Sequence, residues 1–319
     1  MASMLPESLD RLAQIQRGVL SLGQLLDGGL SKDVARWQVK AGRWRPLHLG
    51  VYATFTGPPS RDAAMWAAVL RAGRGAVLSH YSAAELHGLM ASPRPTIHVT
   101  IPSSRRIGGI RGVAVHVSRR IESAVHPTLL PPRTTVEETV LDLTQVARSA
   151  EEACGWIVHG IGRKLTTRQR LRAALERRRH VSFRGEIAEV LSDDWAGVHS
   201  LLEYRYVRRV ELPHALPRGR HQVRAVRNGR TEYRDVLYDG YHLAVELDGR
   251  SAHPGDTRWN DIRRDNAAAA DGVRTLRYGW DDLRVRPCQV AAEVVKALAQ
   301  AGHVRARPCS PGCPVRPSD

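Results

Sequence analysis

Residues 231–253 read TEYRDVLYDGYHLAVELDGRSAH, two runs of alternating apolar and polar residues that meet at Asp239-Gly240, a dipeptide favouring a two-residue β-hairpin turn. Such a turn sets Asp235 opposite Ala244 and Tyr233 opposite Glu246. Side chains alternate between the two faces of a strand, so Val236, Tyr238, Tyr241, Leu243, Val245 and Leu247 share one face, and Asp235, Glu246 and Asp248 share the other. The apolar face is a core face. On the opposite face Asp235 and Glu246 stand on a diagonal, with Cβ atoms roughly 7–8 Å apart. Two carboxylates this close repel. A hard divalent cation relieves the repulsion and keeps waters for a substrate phosphate. Mg²⁺, or Mn²⁺, suits this oxygen set better than zinc, since no Cys or His cluster joins the pair. The plain alternative is a solvated sheet face.

Working outward, Ser200-Leu201-Leu202-Glu203 opens a helix before the hairpin, and VRTLRYGW (273–280) is a strand leading into another helix. Ser200 and Glu203 have the spacing of a capping box, which explains Glu203 as well as a metal-site role does. Asp248-Gly249 reads equally as a turn, and His253, before Pro254, as an exposed loop residue.

An Asp followed after about ten residues by an acid-x-Lys tripeptide on the next strand is the metal-binding pattern of the PD-(D/E)XK nucleases, which this stretch resembles. It resembles more closely a Vsr-like, endonuclease-related domain found in many bacterial proteins. The matching landmarks are Asp235, Val245-Glu246-Leu247-Asp248-Gly249, His253, the Glu203 helix, RWNDIRRD (258–265) and the VRTLRYGW strand. The resemblance implies a restriction-endonuclease-like α/β/α domain over 198–302 and Mg²⁺-dependent hydrolysis of a DNA phosphodiester. Asp235 and Glu246 would hold the metal, which lowers the pKa of a bound water. Asp248 would add a ligand through water, His253 would move a proton, and Arg263 and Arg264 would steady the phosphate. Asp248 occupies the place of the usual Lys, so the water-orienting cation must come from elsewhere.

At the other end of the chain, Ser8, Ser21 and Ser31 each precede a short helical pattern, with stops at Gly28-Gly29 and Gly42. RWRPLHLGVYAT then alternates and turns at Gly50. This is the outline of a winged helix-turn-helix over 1–56. Its third helix presents Lys32, Arg36 and Lys40 to a major groove, with Arg43 and Arg45 on the wing reaching phosphates. A three-helix protein-interaction module fits the same pattern. Residues 18–54 also resemble the N-terminal domain of the AbiEi family of type IV antitoxins. That likeness implies DNA binding and a cognate nucleotidyltransferase-type toxin as a partner.

Residues 57–150 continue as a mixed α/β domain, with helices at 60–73, 76–89 and 134–147 and strands at TIHVTIP and GVAVHVSR. His80 and His87, on one helical face beside Leu and Ala, read as packing or capping groups. Residues 151–197 form a basic helical stretch with nine cations between Arg163 and Arg184, either a second DNA-facing surface or a solvated linker.

The whole is an α+β multidomain chain of 319 residues whose 48 basic and 32 acidic residues give +16. The excess of cations favours an anionic partner, nucleic acid first. Only four of the 48 are Lys, a skew typical of GC-rich coding, but such bias does not create a surplus of cations over acids. No apolar run of membrane-spanning length and no leader pattern occurs, so a cytoplasmic protein with no membrane partner is expected. Motifs for nucleotide-driven, zincin or serine-hydrolase chemistry are absent. Cys309 and Cys313 lie in RARPCSPGCPVRPSD, a Pro-rich end at 303–319 that reads as disordered, with zinc binding as the alternative. The competing functional reading is a non-catalytic, antitoxin-type repressor with a degenerate nuclease half.

Overall fold

The computed structural model describes residues 5–192, 200–227, 230–248, 272–302 and 305–316. It divides the chain into two units, Met1–Val146 and Ala147–Asp319, each combining helices with small sheets in an α+β arrangement.

The first unit opens with α1 (Glu7–Ile15), β1 (Val19–Ser21), α2 (Leu22–Asp27), α3 (Lys32–Lys40), β2 (Arg45–His48) and β3 (Val51–Ala53). The strands form an antiparallel sheet in the order β1-β3-β2. Two of the expected caps are formed. Ser21 Oγ accepts the Gln24 N–H while Gln24 Oε1 accepts the Ser21 N–H, and Ser31 Oγ accepts the Val34 N–H. The third differs: Pro6 is the N-cap of α1, so Ser8 lies inside the first turn. Leu9, Ala13, Leu20, Leu25, Ala35 and Trp44 make the small core beneath these elements.

Next comes α4 (Arg61–Ala72), started by Ser60, whose hydroxyl accepts the Ala63 N–H. It is apolar on two sides. Ala63, Trp66 and Ala67 pack with Val19 and Val51 of the first sheet. Met65, Ala68, Val69 and Ala72 pack with Leu78, Ile97, Val99 and Ile101 of a second. That second sheet has the order β4 (Val77–Leu78), β5 (Ile97–Pro102), β6 (Val113–Ser118), with β5 and β6 parallel. Helices α5 (His80–Leu86), α6 (Ile121–Ala124) and α7 (Val136–Gln145) complete the unit. The boundary expected at 56/57 is therefore bridged by α4.

The second unit begins with α8 (Ala150–Gly162), α9 (Arg168–Arg177), α10 (Arg184–Val190) and α11 (Leu201–Tyr206), which runs on into a π turn, Val207–Glu211. Its sheet has the order β10-β9-β8-β7, made of β7 (Arg220–Arg227), β8 (Arg230–Tyr238), β9 (Leu243–Asp248) and β10 (Arg274–Gly279). The first three strands are antiparallel, and β10 runs parallel to β9. Helices α12 (Trp280–Val285) and α13 (Pro287–Ala299) follow. One core joins Leu202, Tyr206 and Val210 to Val236, Tyr238, Leu243, Val245 and Leu247 of the sheet and to Val290, Val294 and Leu298 of α13.

Two expectations change here. The stretch read as a linker is built into the unit: α8 packs on α10 and α11 and buries Ala153, Cys154, Ile157 and Val158. Part of its charge run is structural, since Arg168 and Arg172 donate to the carbonyls of Val190 and Leu191 at the end of α10. The tail read as disordered is packed over 305–316. Ala306 and Val315 are buried in the core, and the Arg307 N–H meets the His214 carbonyl at 2.9 Å.

Beneath the sheet, Glu211 is fully buried at the end of the π turn. Its Oε1 accepts the Tyr238 hydroxyl at 2.8 Å and the Gly219 N–H at 3.1 Å, and Tyr206 and Tyr238 hydroxyls meet at 2.9 Å. Burial above all, and then the neighbouring acidic groups, push both tyrosines well above their ordinary range, so they stay neutral hydrogen-bonding groups.

Candidate nucleic-acid interface and carboxylate site

In α3 the buried residues Ala35 and Gln38 face the core. Lys32, Arg36 and Lys40, spaced by four, fall together on the outer side and are all exposed, as are Arg43 and Arg45. Arg36 pairs with Asp33 at 3.3 Å, an exposed contact that a phosphate can readily replace. Trp37 is half exposed, and the Arg43 guanidinium lies 5.0 Å from its ring centroid. That aromatic escaped the sequence reading because a helical Trp is ordinarily a core residue. The turn between β2 and β3 falls at Gly50, whose φ is 71°, and holds Leu49 out at 83% exposure.

In the second unit the register of the central hairpin corrects the sequence reading. Asp239–Tyr241 form a single 3-10 turn and His242 adopts φ 49°, so the connection is longer than a two-residue turn. The pairs are Tyr238 with Leu243, Leu237 with Ala244 and Val236 with Val245. Continued by one step, this register sets Asp235 opposite Glu246, not Ala244. A shift of two residues preserves every face, so the apolar and carboxylate faces stand as expected.

Three further groups converge on Asp235. Its Oδ2 accepts the Leu247 N–H at 2.7 Å. Its Oδ1 accepts from Gln222 Nε2 at 3.1 Å, and the same amide donates to Glu203 Oε1 at 3.0 Å. Gln222 lies between two pairs of the β7–β8 ladder, His221 with Val236 and Val223 with Arg234, and its φ is 50°. For a side chain with a Cβ that backbone is strained, a feature that gathers at functional sites. Glu203 is 3% exposed, and its N–H, not its carboxylate, makes the 3.1 Å bond to Ser200 Oγ that starts α11. Gln222 went unnoticed in the sequence because glutamine carries no metal-ligand spacing and its backbone twist leaves no residue signal.

Glu246 has Arg277 as its register partner on β10, so a cation stands beside it on the neighbouring strand. Asp248 ends β9 opposite Gly279, while its side chain, His253, Arg263 and Arg264 lie outside the described residues. The structure thus joins Glu203 to Asp235 through Gln222, and Asp235 to the Glu246 strand through the Leu247 N–H. The three carboxylates are oxygen donors, a set that fits Mg²⁺ or Mn²⁺. They are not drawn within 4.8 Å of one another: among the described residues, groups that tight are formed by other side chains.

One such group is His80, His98 and His116 in the first unit. His80 stacks on His116 with centroids 3.7 Å apart, and His98 Nδ1 meets His116 Nε2 at 3.0 Å. Stacked rings direct their lone pairs in parallel planes, not at a common point, which makes this a packed polar cluster. Burial chiefly, with His116 and Arg94 nearby, lowers His98 to about 4. His87 Nε2 meets the Thr134 carbonyl at 2.7 Å, a tertiary hydrogen bond that caps neither helix.

Among the described residues no helix is long and apolar enough to cross a membrane. No protein-family model and no curated protein matches the chain.

Proposed function

We propose that the chain is a DNA-binding protein whose second unit hydrolyses phosphodiesters with Mg²⁺ or Mn²⁺. The observation that carries this reading is the set Glu203–Gln222–Asp235, with Asp235 and Glu246 each one step beyond the last β8–β9 pair, Val236 with Val245. The first unit has the helix and strand order of a winged helix, as in the AbiEi-type domain, with five exposed cations on α3 and the β2 strand region. The meander with one parallel strand, and α11 against its apolar face, suit a Vsr-like nuclease domain.

On this reading Asp235 and Glu246 hold the metal and Glu203 supports it through Gln222. When bound, the metal polarises the phosphate and acidifies a water. Arg277, beside Glu246, supplies the cation that Asp248 does not, and steadies charge developing on the phosphate. The N–H of Leu247 and the amide of Gln222 fix the Asp235 carboxylate, whose remaining lone pairs would be left to hold the metal. A second reading, a non-catalytic repressor partnered by a nucleotidyltransferase-type toxin, is favoured by one feature, the Asp in the Lys position at 248.

Nicking of supercoiled plasmid with Mg²⁺, Mn²⁺ or EDTA tests the choice, with Asp235→Ala and Glu246→Ala alongside. Metal-dependent nicking lost in both variants, with gel-shift binding retained, supports the nuclease. Equal binding by all three proteins with no cutting by any favours the repressor.

A further inference from the structure

The other tight group is of a different chemical kind. His214, Cys288, Cys309 and Cys313 place one ligand atom each within 4.8 Å of all the others, although the first and last stand 99 residues apart in the chain. We infer that these four side chains bind a zinc ion that fastens the C-terminal segment to the body of the second unit.

Each donor arrives from a separate piece of structure. His214 lies just past the π turn that extends α11. Cys288 is the second residue of α13. Cys309 and Cys313 flank a Ser-Pro-Gly turn closed by the Cys313 N–H to the Ser310 carbonyl at 3.0 Å. Two thiolates presented from one tight turn are a common half of a zinc site.

The imidazole supplies the second, independent observation. His214 is fully buried, and its Nδ1 donates to the Val210 carbonyl at 2.8 Å. Its Nε2 is buried with no hydrogen-bond partner. A ring held in the Nε2-unprotonated tautomer by a carbonyl at Nδ1 is the state in which His ligates zinc. A buried bare nitrogen otherwise carries a desolvation cost with nothing in return.

The distances agree. Cys288 and Cys309 sulfurs are 3.4 Å apart. A disulfide requires about 2.05 Å, whereas tetrahedral Zn–S bonds of about 2.3 Å place sulfurs about 3.7 Å from each other. Three thiolates and one imidazole select zinc over the hard cation expected at Asp235. Four protein ligands leave no open position, so the site is structural. The sequence reading gave Cys309 and Cys313 no partners because their partners are remote in sequence. Folding brings them in, and the Arg307 N–H bond to the His214 carbonyl lies in the same place.

The site also bears on the catalytic reading without resting on it, since the run from Leu201 to Glu211 carries Glu203 in its first turn and leads to His214.

Metal analysis of the full-length protein, purified under reducing conditions without chelator, tests the inference. One zinc per chain is expected in wild type and in Cys154→Ser, whose thiol is buried elsewhere in the unit. Cys309→Ser and Cys313→Ser should lose it while far-ultraviolet circular dichroism stays near wild type. Should those variants fail to fold, Co²⁺ substitution of the wild type decides: a thiolate-to-cobalt charge-transfer band with tetrahedral visible bands supports the site. Absence of that spectrum, iron in place of zinc, zinc retained in both tail variants, or a Cys288–Cys309 disulfide in fresh protein overturns it.

Discussion

Asp235 accepts the backbone N–H of Leu247 at 2.7 Å, which ties the carboxylate to the very strand that carries Glu246. An amide at this position presents one oxygen where two N–H donors need two. Asp235→Asn is therefore expected to fold, to lose about 1–2 kcal/mol in urea unfolding, and to abolish metal-dependent nicking. A variant that still cuts plasmid at the wild-type rate sinks the metal-ligand assignment.

Arg277 is paired in register with Glu246. Replacing it by Ala should lower the single-turnover cleavage rate by about 10²-fold, the scale for removing one group that stabilises developing charge, with gel-shift affinity little changed. Equal losses in rate and affinity would instead make Arg277 a plain phosphate contact.

The outer cations of α3 lend themselves to a salt titration. Arg36→Ala and Lys40→Ala should each weaken DNA binding across sequences and reduce the slope of log K against log salt by about 1. Unchanged slopes would remove this face from the DNA interface.

Gly219 illustrates how closely β8 is approached. A Cβ there would lie 2.2 Å from Val236 Cγ1 and 3.2 Å from Glu211 Oε1. Gly219→Ala should destabilise the second unit by about 1–3 kcal/mol, read from its urea midpoint against wild type.

Acid should weaken the first unit before its carboxylates titrate fully. His98 has its folded pKa lowered to about 4 from 6.5, so the unfolded chain binds a proton more readily than the native one. Stability that is complete above 6.5 then falls as pH drops toward 4. The ring is partly solvated, which limits the loss to on the order of 1 kcal/mol. Thermal melts of wild type and His98→Asn across that interval measure it: the variant should show the shallower dependence.

Much of this architecture is legible in the residues. Ser21, Ser31 and Ser60 start their helices because a hydroxyl at N-cap satisfies an orphan N–H, a local rule. The faces of β8 and β9 followed from alternation alone. Their register did not, because Asp239-Gly240 permits several loops and the left-handed residue falls at His242. Gln222, and His214 and Cys288 as partners of Cys309 and Cys313, were hidden for another reason: their roles arise from tertiary approach, which no spacing along the chain encodes.

The double-sided packing of α4 has a thermodynamic consequence. One helix closes two of the three small cores of the first unit, so neither sheet can melt without exposing apolar area that α4 also buries against the other. Residues 1–56 cut away from α4 would keep the Leu9–Trp44 core but leave Val19 and Val51 uncovered, and so would be less stable than in the whole unit. Conversely, a ligand seated on α3 raises the unfolding temperature of β5 and β6 along with its own helix, since linkage acts on the whole cooperative unit.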